Sequence, residues 1–183
     1  HFISIVVMCG MVKAFVSDTG FISYFVSLFT GQRDNLLGHP EYFVTIFTAS
    51  GIWQELGWNS IIYIAALSAV DESLYEAARI DGAGKFKQVI HVTLPGILPT
   101  IMIMLIMNIG TMLSVGYEKI ILLYNDLVLD KADVISSFVY RKGLVDMNWS
   151  YSTAVGLFSS VVNFILVMGS NYLSRKYSES SLW

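Results

Sequence analysis

The chain has 183 residues, of which 55% are hydrophobic and 14% charged, and its formal net charge is −3. An ordinary soluble domain is about a quarter charged, so a soluble core of this size cannot hide so much apolar surface. A nucleic-acid partner, which needs a basic face, is excluded by the same numbers.

In chain order, residues 1–17 are apolar apart from His1 and Lys13. They predict a membrane span, and because the chain opens inside it without Met, a span cut at its start and an N-terminal part lying beyond this sequence. Gly10 and Ala14 offer a small-xxx-small face for close helix packing. Cys9, the single cysteine, sits in this run and can form no internal disulfide. Residues 21–29 are too short to cross and place aromatics at the spacing of an interfacial helix on the outer surface. A polar linker follows to residue 41, with turns at Gly31, Gly38 and Pro40. Residues 43–70 are apolar enough for a second span, although they contain Trp53, Gln54, Glu55, Trp58 and Asn59. Glu55 has two readings: an outer-interface residue flanked by tryptophan anchors, or an ionisable group facing a pathway or gate.

Residues 71–99 form a polar, charge-bearing loop between two spans. Asp71 or Ser73 caps a short helix that has Glu72 and Glu76 near its positive end and reaches about Asp81. Gly82 permits a turn that a Cβ would obstruct. A second helix presents Phe86, Val89, Ile90 and Leu94 on one face and Lys85, Lys87, Gln88 and His91 on the other. Pro95, which has no N–H, is expected to stop it. Two helices meeting at Ala77, Ala78, Gly82, Ala83 and Gly84 make a compact knob that another protein can approach closely.

Glu76-Ala77-Ala78, Asp81-Gly82-Ala83, Val92-x-Leu94-Pro95 and Pro99 resemble the EAA loop of binding-protein-dependent ABC importer permeases, the type I, maltose-permease-like membrane subunits. The pattern fixes many positions over roughly 24 residues, which makes accidental agreement improbable. Val92 stands where the family usually has isoleucine. Segments 51–67, 107–118 and 151–183 resemble the subgroup that imports oligosaccharides and polysaccharide fragments, and the likeness covers the whole chain.

Beyond the loop, residues 96–117 hold no charged side chain and predict a third span. Asn108, Thr111 and Ser114 recur at helical spacing, so they either line a polar face or hydrogen-bond between helices. Gly110 reads as a close-packing position. Residues 118–152 are polar and predict a helix over about 132–142, in a segment that can meet a partner outside the membrane. A final span over 153–173 includes Asn163 and is closed by Arg175 and Lys176 at the membrane edge.

Four spans put the 71–99 loop and the C-terminal tail on one side of the membrane. Lys and Arg number five on each side, but those beside the loop lie nearer the span ends and favour that side as cytoplasmic. No GxxxxGK[ST], HExxH or CxxC occurs, which leaves no P-loop, no recognisable metal site and no support for an enzyme.

The expected fold is therefore all-α and integral to the membrane, a polytopic helical bundle with about four transmembrane helices. The resemblance implies six in the full subunit, with 1–183 as its permease domain and 71–99 as a cytoplasmic coupling loop. It further implies a multi-pass protein of the bacterial plasma membrane that translocates a carbohydrate by alternating access. The implied partners are an ABC ATPase dimer that binds the ATP, a second homologous permease and an extracytoplasmic solute-binding protein that meets loops around Arg33 and 126–146. Glu76, Ala77, Ala78, Asp81, Gly82, Ala83, Leu94 and Pro95 would form the ATPase-coupling site. Glu55, Asn108, Tyr117 and Asn163, which combine an aromatic ring with hydrogen-bonding groups, are candidates for the substrate path. Other solute classes, or an ion-gradient-driven transporter using Glu55, remain as alternatives that energy dependence separates.

Overall fold

The computed structural model describes residues 3–114 and 116–178, with side chains over 3–113 and 116–175. The side chains of Ser114 and Lys176 and the tail 180–183 lie outside what is described. The fold is all-α, with 82% of the described residues helical. Ten α-helices are described: α1 Ile5–Val16, α2 Phe21–Thr30, α3 Pro40–Ser68, α4 Glu72–Ile80, α5 Lys85–Gln88, α6 Leu94–Gly110, α7 Tyr117–Leu123, α8 Leu129–Ala132, α9 Ile135–Tyr140 and α10 Trp149–Ser178. A π-helical turn, Val89–Thr93, joins α5 to α6, and a second, Arg141–Val145, follows α9.

About four spans are expected, and among the described residues three segments have both the length and the mean hydropathy to cross a membrane. Segments Ile5–Thr30, Lys85–Gly110 and Trp149–Arg175 are long and apolar enough to cross. The 29-residue α3 has the length, but Glu41, Gln54, Glu55 and Asn59 dilute its hydropathy. The first of the three segments is also interrupted. At about 1.5 Å per residue α1 and α2 are some 18 and 15 Å long, each short of a hydrocarbon core about 30 Å thick.

The chain divides into two compact units, residues 1–57 with 113–158, and residues 58–112 with 159–183. The first has the larger core. Met8, Cys9, Val12 and Val16 form the buried stripe of α1, joined by Leu36, Leu37, Phe43, Ile120, Leu123, Val128 and Ala132. Nothing lies within 4 Å of where a Gly10 Cβ would stand, and Ala14 is exposed. The buried stripe of α1 thus consists of larger side chains, and the Gly10–Ala14 face meets no other helix of this chain among the described residues. Between α1 and α2 the turn is tight: a Cβ on Gly20 would sit 2.2 Å from the Phe15 carbonyl oxygen. The Ser23 hydroxyl closes this turn by donating to Val16 O at 2.7 Å. Phe21, Phe25, Leu28 and Phe29 of α2 point outward.

Lys119 of α7 is buried in this unit. Its ammonium donates to the Phe47 carbonyl at 2.7 Å and lies 4.5 Å from the centre of the Phe47 ring. No carboxylate pairs with it among the described residues. The helix expected over about 132–142 begins instead at Ile135, because Asp133 and Val134 are extended and the Ser137 hydroxyl accepts the Val134 N–H at 3.0 Å.

In the second unit, glycines set the packing distances. A Cβ on Gly96 would lie 3.0 Å from Val70 Cγ2, and one on Gly110 would lie 3.1 Å from Val167 Cγ2. Helices approach this closely in a membrane because van der Waals contact, rather than water exclusion, holds them together. On α10, Asn171 and Ser174 are buried, whereas Val161, Phe164, Ile165 and Leu173 are exposed. Polar groups face protein and apolar ones face outward, as lipid requires.

Pro95 does not end the second loop helix as expected. The chain stays helical from Lys85 to Gly110. In the π turn the Leu94 N–H reaches Val89 O, five residues back, so the missing proline N–H falls where the register changes. The span expected over 96–117 ends earlier. α6 ends at Gly110, a 3₁₀ turn covers Met112–Ser114, and Tyr117 opens a new helix.

Candidate functional site: the elbow between residues 71 and 95

α4 begins where Asp71 accepts the Ser73 N–H at 2.9 Å. That bond, and one from the Ser73 hydroxyl, hold the Asp71 carboxyl below the usual carboxylate range. The helix ends in a Schellman closure. Ala83 N–H donates to Ala78 O at 2.8 Å and Gly82 N–H to Arg79 O at 3.0 Å, while Gly82 takes φ 75°. Only glycine adopts that conformation at no steric cost. α5 restarts at once, and the Gln88 side chain donates to Ala83 O at 2.8 Å, bracing the turn from the far side. The expected cap, turn and second helix all stand at the expected residues.

Between α4 and the helix that follows lies an open groove of about 510 Å³, lined by Leu74, Ala77, Ala78, Asp81, Ala83, Lys87, His91 and Val92. The sequence reading placed Ala77, Ala78, Asp81 and Ala83 here, but it missed Leu74, Lys87, His91 and Val92 as groove residues. Their signal was present: 74, 77, 78 and 81 follow the i, i+3, i+4, i+7 rule, and 87 and 91 are one turn apart. Glu76 is exposed and makes no ion pair with Arg79 among the described residues. Nothing lies within 4 Å of where a Gly82 Cβ would stand. Ile80 and Phe86, 87% and 77% exposed, project from the elbow's surface. Leu94 and Pro95 do not line the groove; they mark the step from π turn to α6.

The four substrate-path candidates are not gathered in one unit: Glu55 and Tyr117 belong to the first, Asn108 and Asn163 to the second. Glu55 is exposed on α3. Tyr117 stacks on Tyr140, with ring centres 5.7 Å apart at 28°. Asn108 donates to Met104 O at 2.8 Å and Thr111 to Asn108 O at 3.1 Å, so both bond within their own helix rather than between helices. Asn163 Oδ1 and, one turn earlier, Ser159 Oγ are buried with no hydrogen-bond partner among the described residues.

The segments expected to meet an extracytoplasmic partner are internally tied. Arg33 donates to Thr19 O at 3.1 Å and lies over the Tyr24 ring. Arg141 grips Asp133 through two bonds of 2.9 and 2.5 Å, and Ser137 adds a third at 2.6 Å. The Arg141 bond, against an opposing effect of burial, holds the Asp133 carboxyl well below its ordinary range. His39 bridges Asp34 at 2.8 Å and Glu41 at 3.8 Å.

A model of the family described as binding-protein-dependent transport system inner membrane component matches residues 2–179. Protein LplB of Bacillus subtilis is 40% identical over 184 aligned positions, covering 100% of this chain and 58% of its own length. The polygalacturonan/rhamnogalacturonan transport system permease protein YteP of the same organism is also 40% identical, covering 100% of this chain and 57% of its own. The chain thus spans little more than half of each of these relatives. Among solved structures, a bacterial alginate ABC transporter in complex with an alginate pentasaccharide-bound periplasmic protein superposes with a TM-score of 0.95 at 40% identity, over 100% of this chain and 64% of that one.

Proposed function

The chain belongs to the family of binding-protein-dependent transport system inner membrane components, and on that premise we propose that it is the permease part of a bacterial ABC importer for a carbohydrate. It is a helical integral membrane protein. The cargo is an oligosaccharide or polysaccharide fragment, moved by alternating access into the cytoplasm. Alginate, the acidic polysaccharide imported by one structural relative, makes a uronate-containing fragment the first to try.

The observation that supports this reading most directly is the elbow: a Schellman-closed, glycine-hinged turn with an open groove, exposed Ile80 and Phe86, and an unpaired Glu76. In this role the chain binds no nucleotide itself. A separate ATPase subunit receives the elbow, with Glu76 supplying the charge, Gly82 the close approach, and Ala77, Ala78 and Ala83 the fit. Leu94 and Pro95 pass the movement into the membrane. A second homologous permease completes the pore, and a solute-binding protein delivers the sugar on the opposite face. Glu55, Asn108, Tyr117 and Asn163 are proposed as cargo contacts. Asn163 has the strongest physical case, since its buried oxygen lacks a donor that a sugar hydroxyl would supply.

The test is uptake by the complete transporter in proteoliposomes. Glu76→Lys and Gly82→Asp are expected to leave the subunit in the membrane while ATP hydrolysis no longer drives uptake. Wild-type uptake in both variants would remove the docking assignment. Uptake that ignores ATP and collapses with an uncoupler would replace the importer with a secondary transporter.

A further inference from the structure

We infer that Tyr75 is a positioning residue that locks the coupling elbow to the membrane helix by bracing the π turn at Val89–Thr93. The inference rests on the coupling role proposed above and adds the path by which the elbow's movement enters the span.

A helix running from Lys85 to Gly110 without interruption would carry any push on the elbow straight into the membrane. This one has a joint. A π turn holds one residue more than an α turn, and it converts to α register by a rotation of about 100° and a rise of about 1.5 Å. Pro95, just beyond, cannot donate the bond that would stiffen the next turn. The joint is therefore a stretch where the helix can change register, and something must set its state.

Thr93, its last residue, does so. Its hydroxyl sits 3.4 Å from Gln88 O, a long bond made within the turn. The same oxygen lies 2.9 Å from the Tyr75 hydroxyl, 18 positions away in the chain. With the threonine proton directed at Gln88, Tyr75 donates. Tyr75 and Thr93 are both half-buried, so water competes weakly for the bond. Tyr75 precedes Glu76 on α4, and at 100° per residue it occupies a different face of that helix. One short helix thus presents a charge to the outside and a phenol to the joint. Displacing α4 pulls on Thr93 directly, without acting through the polypeptide around Gly82.

Hydrogen exchange of the full subunit in nanodiscs tests the brace. Tyr75→Phe removes only the hydroxyl. It is expected to speed exchange of the 89–94 amides about two- to tenfold, the factor that one ordinary hydrogen bond provides. Thr93→Val should do the same, Tyr75→Phe with Thr93→Val no more than either alone, and Thr93→Ser should stay near wild type. Unchanged exchange at 89–94 in Tyr75→Phe overturns the inference. If Thr93→Val lowers the yield of folded subunit, Tyr75→Phe and Thr93→Ser still decide the matter.

A second comparison, with the ATPase subunit bound and Mg-ATP added, tests the relay. Wild type should respond to nucleotide both at 72–83 and at 97–105, whereas in Tyr75→Phe the response should be confined to 72–83. A response at 97–105 that survives in Tyr75→Phe overturns the relay. Absence of any response at 72–83 in the wild type strikes instead at the coupling role. A hydroxyl that merely supported the fold would lower stability without separating the two regions.

Discussion

Replacing Gly82 by alanine isolates the backbone of the elbow from its contacts. Nothing within 4 Å would meet the new Cβ, so the substitution introduces no clash with a neighbour. What it introduces is a side chain at φ 75°, where an L-residue is worse off by about 1–2 kcal/mol than in its ordinary conformations. The Ala83→Ala78 and Gly82→Arg79 bonds that close α4 should therefore open about 5–30 times more often. Amide exchange at Ala83, followed in the full subunit in nanodiscs, reads that factor directly. Gly82→Asn, whose side chain tolerates the left-handed region, should fall between alanine and wild type. Wild-type exchange in the alanine variant, or an asparagine variant worse than alanine, would refute the argument from φ. The same series separates two reasons for a glycine. If Gly82→Asn keeps the turn but loses ATPase retention, the lost quantity is the open space above the backbone.

Three further outcomes are expected. Gly110→Leu should destabilise the packing of α6 on α10 by about 1–3 kcal/mol, and Val167→Ala should restore part of it in thermal melts, because a Cβ at Gly110 already comes within 3.1 Å of Val167. Lys119→Met should melt within about 1.5 kcal/mol of wild type, since it keeps the volume and removes a buried charge, whereas Lys119→Ala should lose about 2–5 kcal/mol to the cavity. Equal losses in both would show that the ammonium, not the packing, matters. Asp133 has its carboxyl held low by Arg141 in the folded state, so its stabilising contribution is full above the ordinary carboxylate range and is lost as pH falls through the depressed folded value. Melting of the wild type from about pH 7 to pH 3 should show this loss, and Asp133→Asn should flatten that part of the profile.

The elbow was legible because its determinants are local. A capping aspartate, a glycine at the C′ position and small residues a turn apart act over a dozen residues, and sequence shows them directly. The π turn was not legible. A proline is normally read as a stop, and whether it ends a helix or is absorbed by a register change depends on contacts such as Tyr75 with Thr93, which spacing does not reveal. α3 was read as a span from its length and apolar ends, while Gln54, Glu55 and Asn59 lower its hydropathy. Asn108 and Thr111 were read as either lining a polar face or bonding between helices, whereas both donate to carbonyls of their own segment, as short polar side chains do. Lys119 was read as one more charge of the polar segment 118–152; its burial was not legible, because the carbonyl it serves belongs to a residue 72 positions earlier.

That distance also bears on how the protein is made. Phe47 leaves the ribosome well before Lys119, so the oxygen and ring that receive the ammonium are synthesised 72 residues ahead of it. The seven-residue α7 is far too short to insert on its own. Its seating against α3 is a step that can follow only once both helices have been made.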